Sequence, residues 1–184
     1  MARRANEMEQ IHLVPYDPTW PERYRAEALL VRSCLMDRLQ RIEHMGSTAV
    51  PGLAAKPVID IIVLVKDLAD ARAAIPALEA QGYAFWADNP DTTRLYLVKG
   101  LPPSPHRTHH LHIHDDEDEV QRHLLFRDHL RDHPEVRDAY LRLKQELAIR
   151  YHDDREAYTR NKTDFVDMVV LALGGPPRRV TSPS

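Results

Sequence analysis

The feature that most constrains this chain is the run "VIDIIVLV", residues 58–65. Every residue in it but Asp60 is aliphatic, so both faces of the implied strand are apolar. A strand of that kind belongs inside a sheet that is covered on both sides. The fold must therefore supply a layer on each face. It must also supply a partner for Asp60, because a carboxylate taken out of water costs several kcal/mol or more unless it meets a cation, a metal or several donors. Just before the run, "EHMGSTAVPGLAAK" (43–56) contains a Gly46-Ser47 turn, a second glycine and Lys56.

The rest of the chain can provide those layers. "IHLVPYD" (11–17) reads as a short extended segment, and a helix should follow Pro18 and Pro21. Its apolar stripe is Trp20, Tyr24, Ala28, Val31, Leu35 and Leu39. "RIEHM" reads as a strand, and residues 48–55 as a tight turn or short helix. Asp67 can cap a helix that turns Leu68, Ala71, Ile75 and Leu78 inward, is kinked or broken at Pro76, and ends at Gly82. "YAFWA" and "TRLYLVKG" follow as strands, and "LPPSPHR" as a loop. "THHLHIH" (108–114) then alternates His110, His112 and His114 with Leu111 and Ile113, which is strand periodicity. The last third is helical over 117–131, 134–152 and 155–173. Val136, Tyr140, Leu143, Leu147 and Tyr151 form one stripe, and Tyr158, Phe165, Val169 and Ala172 another. The class is α+β: a mixed β-sheet flanked by helices, with a helical C-terminal third. A single domain spans 10–173, between disordered tails at 1–9 and 174–184.

Composition narrows the function classes. A formal charge of -3 gives no sign of a nucleic-acid partner. One cysteine, Cys34, excludes an internal disulfide framework and fits a reducing compartment, and it also excludes a zinc finger. No apolar stretch approaches the roughly 20 residues that span a bilayer, and "MARRANEMEQ" lacks the apolar run of a signal peptide. The expectation is a cytoplasmic protein without membrane contact. Histidine is the unusual component, with 11 copies.

A Gly-Ser pair after a strand can present backbone N–H groups and a hydroxyl to a phosphate. Lys56 could add a cation, and Asp60 could bind a metal bridging that phosphate. The spacing is not that of a Walker loop, since no Lys-Ser/Thr pair follows Gly52. A glycine-serine turn, a gap and an acid in an apolar strand resemble the nucleotidyltransferase (polymerase beta-like) superfamily. "HMGSTAVPGLAAKPVIDIIV", "HHLHI", "FRDHLRDHPEVRDAYLRLKQEL" and "YTRNK" together resemble one branch of it, the GrpB family, over about residues 10–172. The resemblance implies a nucleotidyltransferase-like fold and relatives fused to dephospho-CoA kinase. The superfamily pattern has two acids, two residues apart, holding two Mg²⁺ ions. Asp60 matches the second, and Val58 stands where the first would be. Glu43 is the candidate to replace that missing acid, so Asp60 and Glu43 are the candidate catalytic carboxylates.

The third acid of the pattern usually lies on a neighbouring strand, where this chain has His110 and His112. Side chains two apart on a strand share a face, so both can converge on one ion with Asp60. One carboxylate and two imidazoles suit Zn²⁺, Mn²⁺, Ni²⁺ or Fe²⁺ better than Mg²⁺. Blander readings stay open. The histidines can be the polar face of an edge strand or hydrogen-bond a buried acid, and Asp60 can pair with Lys56 or Arg94. His44 can orient Ser47 or simply pack. Arg94 and Arg107 are candidate phosphate binders or solvated arginines, and Lys162 can reach a pocket from the face it shares with Tyr158. "DDEDE" lacks the glycine of a calcium loop. Gly46, Ser47, Lys56 and Arg94 would hold a phosphorylated small molecule, and a homodimer is left open. Three functions follow: a metal-assisted nucleotidyltransferase or phosphoester enzyme, a nucleotide- or metabolite-binding module without catalysis, and an interaction protein that docks a partner on its C-terminal helices.

Overall fold

The computed structural model describes residues 11–100 and 106–179. The expected tail at 1–9 and most of the proline loop lie outside them. Helix α1 (Trp20–Leu35) leads into β1 (Leu39–Met45) and β2 (Ile59–Val65). Two short helices, α2 (Leu68–Ala71) and α3 (Ile75–Ala80), precede β3 (Tyr83–Phe85), β4 (Leu95–Lys99) and β5 (His109–His114). Four helices close the chain: α4 (Glu117–Asp132), α5 (Pro134–Arg150), α6 (Arg155–Arg160) and α7 (Thr163–Ala172).

The five strands form one mixed sheet in the order β1-β2-β5-β4-β3. β2 runs parallel to β5, and the other neighbours are antiparallel. The histidine strand is thus the middle strand, not an edge, and "VIDIIVLV" lies beside it. The reason is visible in the alternation. Ile59, Ile61, Val63 and Val65 of β2 and Leu111 and Ile113 of β5 face one way, into a core with Trp20, Ala28, Val31 and Leu35 of α1 and Leu78 of α3. Ile62 and Leu64 face the other way, with Met45 of β1 and Val120 and Leu124 of α4. Val50 and Leu53, just past the Gly-Ser turn, plug into the helical layer among Phe126, Leu130, Tyr140, Val169 and Val170. The helical third therefore covers the second face of the sheet and grips the turn.

The structure departs from the sequence expectations at several points. The α1 stripe does not run on to Leu39. The helix stops at Leu35, Met36 takes φ 54°, and after a 3-10 turn Leu39 opens β1, still packed on the same core. The segment "IHLVPYD" is an extended entry, as expected, and makes one bridge, Val14 to Ala55. The final helix is two, because the Asn161 side-chain amide donates to Ala157 O at 2.8 Å and ends α6. Ala172 is exposed, and Val170 takes the inward position. Residues 174–179 stay against the helices: Gly175 N donates to Val170 O at 2.9 Å and the buried Arg122 donates to Pro176 O at 2.6 Å. Elsewhere Asp67 caps α2 by accepting from Asp70 N, and a 3-10 turn at Arg72–Ala74 interrupts the helix before Pro76.

Candidate functional site

The site begins with Gly46. It follows Met45, which lies opposite Asp60 in the β1–β2 pairing. Its φ of +73° is left-handed, and a Cβ there would stand 2.7 Å from Asp60 Oδ2. Only glycine meets both conditions. Ser47–Ala49 then form a 3-10 turn, held by Ala49 N to Gly46 O at 3.2 Å. The turn is pinned from below by Thr48, whose hydroxyl donates to Val58 O at 3.4 Å and lies 3.0 Å from His44 Nε2. His44 thus holds Thr48 and not Ser47. Stacked on Tyr24 at 4.8 Å and buried, it is kept neutral, its pKa lowered to about 4. Val58 is buried and lends its carbonyl to the turn.

Parallel pairing places Asp60 beside His110 and Ile62 beside His112. His110 Nδ1 lies 2.8 Å from Asp60 Oδ1, and His112 Nε2 lies 4.0 Å from the same oxygen. Ligand atoms of Asp60, His110 and His112 all lie within 4.8 Å of one another. Among the described residues this is the one such group of three metal-ligating side chains. Burial acts to raise the Asp60 carboxyl, but the His110 hydrogen bond and the charges of Lys56 and Lys162 outweigh it and hold the pKa below the ordinary carboxylate value. Burial, seconded by the Arg94 charge, keeps His112 neutral far into acid. His114 shares the face but stands outside the group, buried with no hydrogen-bond partner at either ring nitrogen.

The structure brings Ser47, Lys56 and, through His112, Arg94 to this region but deploys Glu43 elsewhere. The Glu43 carboxylate accepts from Arg127 at 2.9 Å and Arg41 at 3.4 Å, opposite Ile62, and is not part of the three-residue group. Arg94 does not reach Asp60. Its Nε lies 3.0 Å from Asp91 Oδ2 and its Nη1 2.9 Å from His112 Nδ1. Arg107 is buried. The acids after β5 serve α4, where Asp116 accepts from Asp118 N as its cap.

A residue outside the sequence-derived set completes the region. Lys144 of α5 is 1% exposed, and its Nζ donates to Ser47 Oγ at 3.1 Å and to Ala54 O at 2.5 Å. It lies 5.2 Å from the ring centroid of Tyr140. Burial and then the charge of Lys162 bring its pKa down to about 7. The sequence held a signal for it: Lys144 falls four residues after Tyr140 and three before Leu147, on the apolar stripe of its own helix. A lysine on a buried stripe needs a partner. Lys56 and Lys162 flank Tyr158, at 5.2 and 4.2 Å from its ring centroid.

This geometry can be set beside known proteins. Residues 10–171 match the GrpB protein family. A UPF0157 protein of Pseudomonas aeruginosa is 47% identical over 88% of this chain and 67% of its own length. One from Halalkalibacterium halodurans is 38% identical over 87% and 80%. A dephospho-CoA kinase of Mycolicibacterium paratuberculosis is 34% identical over 83% of this chain but only 43% of its own. The crystal structure of the conserved protein GrpB from Enterococcus faecalis superposes with a TM-score of 0.79 at 32% identity, covering 89% of this chain and 99% of that one. A likeness to Cid1 in complex with its short product ApU, at a TM-score of 0.49 and 18% identity, is too loose to carry an argument. From the family match and these relatives together, the chain belongs to the GrpB family.

Proposed function

We propose that the region around Asp60 binds a phosphorylated small molecule of the nucleotide class together with one divalent metal ion. The observation that carries this reading is the charge arrangement. The charges of Lys56 and Lys162 act on the Asp60 carboxylate, and Lys144 donates to the Ser47 hydroxyl beside the glycine turn. That surplus of positive charge matches a phosphate. Ser47 and Lys144 would hold the phosphate oxygens, and Lys56 and Lys162 would offset its charge. Asp60, His110 and His112 would hold the ion, and the donor set of one carboxylate and two imidazoles fits Mn²⁺ or Zn²⁺ better than Mg²⁺. A bound ion would polarise the phosphoryl group. Nucleotidyl transfer is the reaction that the resemblance to the polymerase beta-like superfamily suggests.

A second reading is a binding module without turnover, and one observation favours it: Val58 occupies the first acid position and Glu43 is engaged by Arg127. The dephospho-CoA kinase relatives would then point to an accessory role beside a kinase. A thermal-shift screen of nucleotides with Mn²⁺, Zn²⁺ and Mg²⁺ tests the shared claim, because a ligand that binds the folded state raises its midpoint with concentration. Stabilisation with metal-dependent product release that vanishes in Asp60→Ala supports the enzyme. Stabilisation without turnover supports the module. No stabilisation by any pair would overturn both.

A further inference from the structure

A neutral imidazole carries one N–H and one lone pair. In His112 the lone pair is on Nδ1, because Arg94 Nη1, which can only donate, stands 2.9 Å from that atom. The proton is therefore on Nε2, the nitrogen that faces Asp60 Oδ1 at 4.0 Å. Metal ligation through Nε2 requires the opposite tautomer. A ligating histidine offers its other N–H to a carboxylate, a carbonyl or water, and a guanidinium is none of these. With the ring turned to the ligating tautomer, two donors would oppose each other across 2.9 Å, and a fixed positive charge would stand behind a cation site.

Arg94 can leave. Its side chain is 25% exposed and is otherwise held by Asp91, itself 34% exposed, and by the face of Tyr96 at 5.3 Å. Its planar fork matches phosphate oxygens better than it matches one ring nitrogen.

We infer that Arg94 makes the metal site conditional on an anion: a phosphate-bearing ligand draws the guanidinium off His112, and only then do Asp60, His110 and His112 together hold an ion. The inference rests on the reading of this region as a phosphate site. It makes binding synergistic, and linkage requires each ligand to tighten the other by the same factor.

The test is a Co²⁺ titration followed by its visible absorption, for the wild type and Arg94→Met, each with and without phenyl phosphate. The expected result is weak binding by the wild type alone, tightened about tenfold or more by phenyl phosphate. Arg94→Met should bind Co²⁺ more tightly than the wild type without the ester, and the ester should tighten it less than it tightens the wild type, because only the direct contact of ion and phosphate remains. Equal affinity of the two proteins without the ester, or an ester effect undiminished in Arg94→Met, would overturn the conditional site while leaving the metal reading in place. No Co²⁺ bands from either protein under any condition would overturn the metal reading itself. Nitrogen NMR of the His112 ring in the wild type needs no variant: the proton should sit on Nε2 in the free protein and on Nδ1 with both ligands. A ring with its proton on Nδ1 in the free protein would contradict the inference.

Discussion

The two faces of the sheet are made by the same strands and put to opposite uses. Toward α1, Ile61, Val63, Leu111 and Ile113 are all fully buried in one apolar core. The polar groups on that side gather at Glu27, which accepts from Lys99 Nζ at 2.8 Å and lies 3.9 Å from His109 Nε2, tying β4 and β5 to α1. Toward the C-terminal helices the alternate positions carry Asp60, His110, His112 and His114. One face supplies cohesion through apolar area. The other spends burial on polar groups that must satisfy one another, and it does so incompletely at His114. Period-two alternation lets a single short strand serve both ends. A substitution on the first face should cost stability and spare ligand binding, and one on the second should do the reverse.

The largest expected effect is that of pH, and it loads onto histidines of both faces, His44 and His109 toward α1 and His114 and His123 toward the C-terminal helices. Burial, foremost among the causes, lowers His44, His109 and His123 to about 4 and His114 to about 3. In the unfolded chain each titrates near 6.5. The unfolded state therefore binds more protons between those values, so stability is complete above about pH 6.5 and is lost as pH falls toward 4. Several kcal/mol should disappear over that window, read as a falling urea midpoint. A flat midpoint between pH 7 and 4 would mean that these rings are solvated.

Next in size is Leu111→Ala, at the centre of the apolar face. Deleting that side chain should cost about 2–5 kcal/mol in urea denaturation, with ligand affinity per folded molecule unchanged. Loss of binding with intact stability would break the division between the faces.

Smaller in stability is Lys144→Met. Removing a buried ammonium in favour of an apolar side chain of similar length should shift the unfolding free energy by about 1 kcal/mol or less. Stabilisation by pyrophosphate should nevertheless weaken about tenfold or more, since a hydrogen bond to a charged group is worth roughly 1.5–3 kcal/mol. If Lys144→Met kept its pyrophosphate response, Lys144 would be a structural clamp on Ser47 and Ala54 alone.

The division between the faces also explains what could be read from the sequence. Asp60, His110 and His112 were legible because strand alternation is a local signal, and a carboxylate in an aliphatic run demands a partner wherever the chain goes. The Gly46-Ser47 turn was legible for the same reason, since its glycine is locally marked. Lys144 was harder, because a lysine in an amphipathic helix usually reads as solvated, and only its position on the Tyr140–Leu147 stripe says otherwise. Glu43 and Arg94 could not be placed, because their partners, Arg127 and His112, are set by how α4 and β5 pack, and no spacing encodes that. The overrun of α1 into Leu39 has a similar origin. Helical spacing and a strand facing the same core give the same apolar letter, and only the positive φ of Met36 separates them.

The most direct measurement counts Mn²⁺ bound per chain by electron paramagnetic resonance, in the presence of saturating phenyl phosphate, for the wild type and Asp60→Asn. The substitution keeps the shape of the side chain and removes its charge, with circular dichroism as the check on the fold. The account expects one ion per wild-type chain and none for Asp60→Asn. An ion retained by Asp60→Asn, or none bound by the wild type, would contradict it.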